Sequence, residues 1–137
     1  MVSITPDKER ARAFLHRAEE FLRSVEQVKD TAEASFLINT DYDILHALAT
    51  AIQSCDGEKF VNVKDHHKEL VAWVAKKYLQ DIGSAQAHLF DELRKTRNDI
   101  NYYGQKNKEV LQDFYERNKN TIATLRDVLF RIIREKV

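Results

Sequence analysis

The stretch Leu93–Gly104, which reads LRKTRNDINYYG, carries side chains whose chemistry suits the binding of anions and of hydrogen-bonding groups. Arginine binds phosphate and carboxylate oxygens through its guanidinium fork, and asparagine and tyrosine add neutral donors and acceptors. With about 100° between successive residues of a helix, Arg97 falls inside an apolar seam that also holds Leu93 and Ile100. We therefore expect a polar strip beside this seam to bind a nucleotide or a partner. The candidate residues are Arg94, Arg97, Asn98, Asn101, Tyr102 and Tyr103, although helical arithmetic turns Tyr102 to the opposite side.

Arg97 also has a structural interpretation. A guanidinium group in an apolar stripe is costly unless a carboxylate compensates its charge. Asp41 or Asp43, on an earlier helix, could supply that carboxylate while the methylene groups of Arg97 pack against the core. The spacing of the residues does not separate this interpretation from the functional one.

The composition limits the possible classes of protein. The chain has 137 residues, 43% of them hydrophobic, with 22 basic and 22 acidic side chains. This is the size of a single domain with a real core, so we treat residues 1–137 as one domain. A net charge of zero argues against a dedicated binder of nucleic-acid backbone and makes association with another surface electrostatically easy.

Sparse helix breakers and apolar periodicity predict an all-α fold. Three glycines and one proline leave room for long helices with short connections. We predict an up-and-down bundle of four long helices plus a shorter one, with the second helix central because its apolar residues cover much of its circumference. Thr5 is the expected cap of the first helix and Asp65 that of the third, and Gly57 suits the left-handed position at the end of the second. KFVNV is expected to be a loop. The predicted helices are about Pro6–Val28, Ala34–Cys55, His66–Leu79, Ala85–Tyr103 and Lys108–Lys136.

Other kinds of chemistry find little support in the sequence. The five histidines show no zinc spacing, so we expect no metal site and no cofactor. His66 and His67 are adjacent and should diverge on a helix, whereas His46 lies on the helix expected beside Arg97. The single cysteine, Cys55, fits a reducing compartment, and neither a secretory signal nor a membrane span is recognisable. We therefore expect a cytoplasmic protein without membrane contact.

Four segments resemble the HEPN domain family of helical, nucleotide-associated proteins. They are RARAFLHRAEEFL, YDILHALATAIQS, DHHKELVAWVA and LRKTRNDINYYG, and together they span nearly the whole chain. In that family a late arginine, often followed by asparagine, precedes a histidine by four to six residues. Arg97 and Asn98 match this motif, but Tyr102, Tyr103 and Gly104 occupy the places where the histidine is expected.

The resemblance implies a homodimer that brings two such motifs together. Many family members are metal-independent ribonucleases, including those of toxin–antitoxin or defence systems, and others are partners of small nucleotidyltransferases. A tyrosine with a pKa near 10 is a poor base at neutral pH, whereas a histidine is a good one. We therefore favour a module that binds a protein partner, a nucleotide or RNA without strong catalysis, and keep a ribonuclease that uses a tyrosine or a distant histidine as the alternative. No catalytic residue is assigned.

Overall fold

The computed structural model describes residues 1–61, 63–102 and 107–137, and in these ranges the chain is mostly helical. This part contains six helices and one two-stranded sheet, so the predicted all-α class is confirmed. No helix in these ranges is long and apolar enough to cross a bilayer. In chain order the elements are β1 (Val2–Ser3), α1 (Lys8–Val28), α2 (Ala34–Asp56), β2 (Glu58–Lys59), α3 (His66–Lys77), α4 (Leu79–Ile82), α5 (Ser84–Tyr102) and α6 (Lys108–Lys136).

Helix α2 occupies the centre of the fold, as its apolar pattern predicts. It packs against α1, α3, α5 and α6. Its fully buried side chains include Ile38, Tyr42, Leu45, Leu48 and Ile52. Each aliphatic side chain of this kind contributes roughly 1.5–3 kcal/mol when it leaves water, so burial around α2 is the main force that assembles the other helices.

Side-chain and glycine caps set the helix ends. Asp65 caps α3 as predicted, because its carboxylate accepts a hydrogen bond from the backbone N–H of Lys68. The prediction that Thr5 caps α1 is wrong. Asp7 caps this helix instead, because its carboxylate accepts a hydrogen bond from the backbone N–H of Arg10 at 2.9 Å. Gly57 ends α2 in the left-handed conformation, with φ of 66°, as predicted.

The prediction that KFVNV is entirely a loop is wrong at its first residue. Lys59 belongs to β2, which pairs antiparallel with β1 so that Val2 lies opposite Lys59. The pairing is possible because β1, close to the first residue, supplies the partner strand. The sequence does not reveal it, because strands of two residues are too short to show an alternating pattern. The same close approach requires a glycine, because a Cβ atom on Gly57 would lie 2.5 Å from the carbonyl oxygen of Ile4.

A buried carboxylate at the end of α2 joins α2 to the chain around α3 and α6. Asp56 accepts hydrogen bonds from the Tyr78 hydroxyl, from Lys77 Nζ at 3.0 Å and from Lys136 Nζ at 2.8 Å. Burial acts to raise the pKa of Asp56, but these hydrogen bonds outweigh it and lower the pKa below its usual value. Asp56 is therefore fully satisfied and has a structural role.

Helix α5 lies against α2 and α3 and brings the candidate polar strip into the fold. Its predicted apolar seam is buried at Leu89, Phe90, Leu93 and Thr96, and Ile100 is half-buried against the core. The predicted end of this helix, at Tyr103 and Gly104, lies outside the described residues. The buried seam fixes the rotation of α5, so that Arg94 and Arg97 face α2 and α3 rather than open solvent.

Candidate functional site

Arg97 reaches from α5 to the side of α2. Its Nη2 atom lies 3.3 Å from Oδ1 of Asp43, and its guanidinium carbon lies 5.3 Å from the centre of the Tyr42 ring. Asp43 is one of the two carboxylates that the structural interpretation expects. The other, Asp41, faces a different direction and lies 3.7 Å from Nη1 of Arg126 on α6.

The ion pair between Arg97 and Asp43 is accessible. The Arg97 side chain is 23% exposed and that of Asp43 is 41% exposed. Exposed pairs of this kind contribute only about 0–1 kcal/mol, because water and salt screen the attraction. The Nε atom of Arg97 is enclosed and has no hydrogen-bond partner in the described part of the chain. Because the side chain is partly exposed and a guanidinium group has five N–H donors, Arg97 nevertheless retains donors that a ligand anion could use.

Arg94 is buried one turn before Arg97. Its Nε donates to Oδ1 of Asp91 at 2.9 Å, and its Nη1 lies 3.9 Å from Oδ2 of Asp65, the cap of α3. Because Arg94 connects α5 to the first turn of α3, these contacts give it a role in positioning the two helices. Its guanidinium charge nevertheless acts on the nearby Tyr42 hydroxyl and on His67.

The two asparagines lie further along α5. Asn101 is exposed, and its Oδ1 accepts a long hydrogen bond of 3.5 Å from Nδ2 of Asn39 on α2. Asn98 is half-buried. The side chain of Tyr102 and all of Tyr103 lie outside the described residues, so the roles suggested for these tyrosines stay predictions.

Two histidines from different helices stack beside Arg97. The rings of His46 on α2 and His67 on α3 have centroids 4.2 Å apart and planes 21° apart. The Tyr42 hydroxyl lies 3.0 Å from Nδ1 of His67 and can donate to it when the imidazole proton is on Nε2. Arg97, Tyr42, Asp43, His46 and His67 together form what we name the Arg97 cluster.

The environment keeps the imidazoles neutral near pH 7. Burial lowers the pKa of His46 to about 4, and the neighbouring His67 and Arg97 charges act in the same direction. Burial and the Arg97 charge also lower the pKa of His67. Burial raises the pKa of Tyr42 well above its usual value, although Arg97 and Arg94 oppose this shift. The cluster therefore offers one cation beside neutral donors and acceptors.

The sequence indicates His46, but not His67, as a neighbour of Arg97. Adjacent histidines on a helix are expected to diverge, and these two do: His66 lies near the Phe60 ring instead. The available signal was the helical spacing of His67 to Leu70, Val71 and Val74, which are all buried. This spacing places His67 on the inner face of α3.

Metal binding by the cluster has no support in the described ranges. There, no group of three or more histidine, cysteine, aspartate or glutamate side chains lies close enough together to hold an ion. The side chains of the cluster can provide electrostatic attraction, hydrogen bonding and proton exchange through imidazole.

Comparisons of the chain with protein-family models, with curated proteins and with solved structures find no match. The resemblance to the HEPN family consequently depends on the residues and motifs quoted above.

The shifted pKa of His46 predicts an acid-sensitive contribution to stability. Because its pKa in the folded protein is about 4, against 6.5 when unfolded, the full contribution is present above pH 6.5 and is lost as the pH falls towards 4. The contribution of Asp41 to stability changes with pH in the opposite direction, because burial raises its pKa to about 6 and this contribution therefore increases as the pH falls. The informative quantity is therefore the difference between the wild type and His46→Gln.

We expect the wild type to lose about 1–2 kcal/mol of unfolding free energy between pH 7 and pH 5 relative to His46→Gln. Urea unfolding of both proteins at the two pH values measures this difference. His88→Gln is the matched control, because His88 is exposed and pairs with Glu92 on its own helix. An identical pH dependence for wild type and His46→Gln would contradict the assignment of a buried neutral imidazole.

Proposed function

We propose that this chain is a HEPN-like helical module that binds the phosphate group of a nucleotide or of an RNA strand through the Arg97 cluster. The observation that carries the proposal is the accessible and weakly held guanidinium group of Arg97. Its carboxylate partner in the described chain, Asp43, is itself partly exposed, so a ligand phosphate could replace it. Arginine suits this exchange because its planar fork matches phosphate geometry.

The neutral histidines favour a nucleotide or RNA over a simple inorganic anion, because they offer hydrogen bonds to a sugar as well as to a phosphate. Imidazole N–H groups can donate to phosphate or ribose oxygens, and imidazole nitrogens can accept from a ribose hydroxyl. His46 and His67 stack with each other beside Arg97, so they could contact the same ligand. A protein partner such as a nucleotidyltransferase is the other ligand that the family resemblance implies.

We further propose that the module works as a homodimer in an up-and-down bundle arrangement of its long helices. The family resemblance implies two-fold pairing of the arginine motifs. A net charge of zero adds little repulsion between two copies. Pairing of two Arg97 clusters would double the positive charge available to a phosphate backbone, which would offset the absence of net positive charge on one chain.

Replacement of Arg97 by alanine tests the binding site. We expect Arg97→Ala to weaken binding of a fluorescein-labelled single-stranded RNA, or of AMP, by about tenfold or more, since a charge-assisted contact to phosphate is lost. Fluorescence anisotropy and calorimetry measure these affinities. Asp43→Asn should strengthen binding, because it frees the guanidinium group from its competitor.

Two measurements keep this test specific. Arg117→Ala removes the same charge from an exposed ion pair on α6 and should leave binding nearly unchanged. The unfolding free energy of Arg97→Ala should fall by only about 0–1 kcal/mol if the ion pair is accessible. A loss of about 3–5 kcal/mol would instead assign Arg97 to a buried structural pair and overturn the proposal.

Sedimentation equilibrium tests the homodimer. We expect a mass close to twice the 16.0 kDa of one chain at micromolar concentration. A single 16.0 kDa species at every concentration would remove the two-fold site from the proposal.

Metal-independent cleavage of RNA is the second candidate function, and the histidine pair is the observation that favours it. A neutral imidazole can remove the 2′-hydroxyl proton, and Arg97 could stabilise charge on the phosphate. Proton transfer is most efficient when the pKa of the base lies near the working pH, and the pKa of His46 lies well below 7. We therefore rank binding above catalysis.

Purified protein should accordingly show little or no cleavage of single-stranded RNA at neutral pH in the presence of a chelator. A gel assay over several hours measures this. Cleavage that is lost in both His67→Gln and Arg97→Ala would establish the ribonuclease instead. Cleavage that persists in both variants would identify a contaminant, and the prediction of an inactive module would stand.

A further inference from the structure

A cleft formed by α1, α2 and α6 is large enough for a small molecule. It lies between the end of α1, the start of α2 and residues 112–126 of α6, and its volume is about 530 Å³. Sites for small ligands commonly measure about 300–1,000 Å³. The side chains of Asp41 and Arg126 line it, together with the apolar side chains Val25, Leu37 and Ala123.

Asp41 is a buried carboxylate that accepts no hydrogen bond from any residue the structure describes. Its side chain is 5% exposed, and the nearest cationic nitrogen in the described chain is Nη1 of Arg126 at 3.7 Å, beyond hydrogen-bond distance. A buried carboxylate is costly unless donors satisfy its oxygens. Asp56, on the same helix, receives such donors, so the condition of Asp41 is not a general feature of α2.

Arg126 is incompletely satisfied on the same wall of the cleft. Its side chain is 16% exposed, and its Nη2 atom lies 4.0 Å from Oε1 of Glu26. Its Nε atom is enclosed without an acceptor among the described residues. A guanidinium group has five N–H donors, so Arg126 has several to offer. One carboxylate and one guanidinium group thus lie side by side, each with unused hydrogen-bonding capacity.

The remaining charges of the cleft nearly cancel. Glu26 pairs with Lys29 at 2.9 Å, and Glu116 pairs with Lys119 at 2.7 Å. With Asp30, Asp41 and Arg126, the described lining carries four acidic and three basic side chains. This slight acidic excess disfavours a phosphate, in contrast to the Arg97 cluster. A ligand without net charge fits the electrostatics better.

We infer that this cleft binds a free α-amino acid with an apolar side chain, whose ammonium group faces Asp41 and whose carboxylate faces Arg126. An α-amino acid carries its two charges on one carbon, which matches the 3.7 Å between the charged atoms of Asp41 and Arg126. Its apolar side chain would contact Val25, Leu37 and Ala123. A peptide separates its terminal charges and would not satisfy both groups. The inference depends on neither the Arg97 cluster nor the HEPN resemblance.

Calorimetry with the wild-type protein and a series of leucine relatives tests both charges from the ligand side. We expect L-leucine to give saturable binding and to raise the melting temperature. Leucinamide lacks the carboxylate, and 4-methylpentanoate lacks the ammonium group. Each should bind about tenfold or more weakly, because a charge-assisted hydrogen bond is lost. Leucyl-leucine, with its charges separated, should be similarly weak.

Substitutions test the same contacts from the protein side. Asp41→Asn and Arg126→Met should each weaken L-leucine binding by about tenfold or more. Asp113→Asn and Arg131→Met make matched changes at exposed ion pairs outside the cleft and should not weaken it. Circular dichroism checks that the variants are folded, and the ligand series on the wild type stays decisive if one of them is not.

Several outcomes would overturn the inference. One is the absence of saturable binding of L-leucine, L-valine and L-phenylalanine by the wild type. Another is equal affinity for L-leucine and leucinamide, or binding that folded Asp41→Asn and Arg126→Met retain in full. Inorganic phosphate that binds the wild type and is lost in Arg126→Met would identify an anion site instead.

Discussion

The burial of α2 imposes the constraint on which the other features of this fold depend. A helix in contact with α1, α3, α5 and α6 cannot leave the charged groups on its surface fully hydrated. Each such group must find a partner on a neighbouring helix or bear a desolvation cost. The partners come from different elements, with Asp41 next to Arg126, Asp43 next to Arg97 and Asp56 next to Lys77 and Lys136.

These three carboxylates differ in how completely they are satisfied, and this difference separates structural from functional candidates. Asp56 has three donors and a lowered pKa. Asp43 shares an accessible pair with Arg97, so its partner can be exchanged. Asp41 lines a cleft, has no hydrogen-bond donor among the described residues, and burial raises its pKa to about 6. Two carboxylates only two residues apart thus face sites with different chemistry, because successive residues on a helix point in different directions.

In the Arg97 cluster, the imidazoles come from other helices than the one that carries the arginine. The family resemblance leads one to expect a histidine shortly after the arginine on α5. The imidazoles near Arg97 come instead from α2 and α3, and His67 is held in position by its stack with His46 and by the Tyr42 hydroxyl. Their burial, which keeps them neutral, also moves the pKa of His46 away from the value that suits proton transfer at pH 7.

The all-α class, the central position of α2 and most helix ends could be predicted from the sequence, because these features depend on local propensity and apolar period. Asp65 and Gly57 are residues whose capping role can be read locally. Asp43 was one of two equal candidates for Arg97, since both lie on α2 within reach of a neighbouring helix. Only the rotation of α2 against α5 and α6 decided between them.

Three features follow only from the tertiary structure. They are the pairing of β1 with β2, the stack of His46 on His67, and the cleft that Asp41 and Arg126 line together. Each joins residues from different elements, and their contact depends on how helices rotate and cross rather than on spacing along the chain. The pKa shifts of His46 and Asp41 follow from this packing, because burial is their largest cause. Desolvation is a property of the assembled core, and no local pattern encodes it.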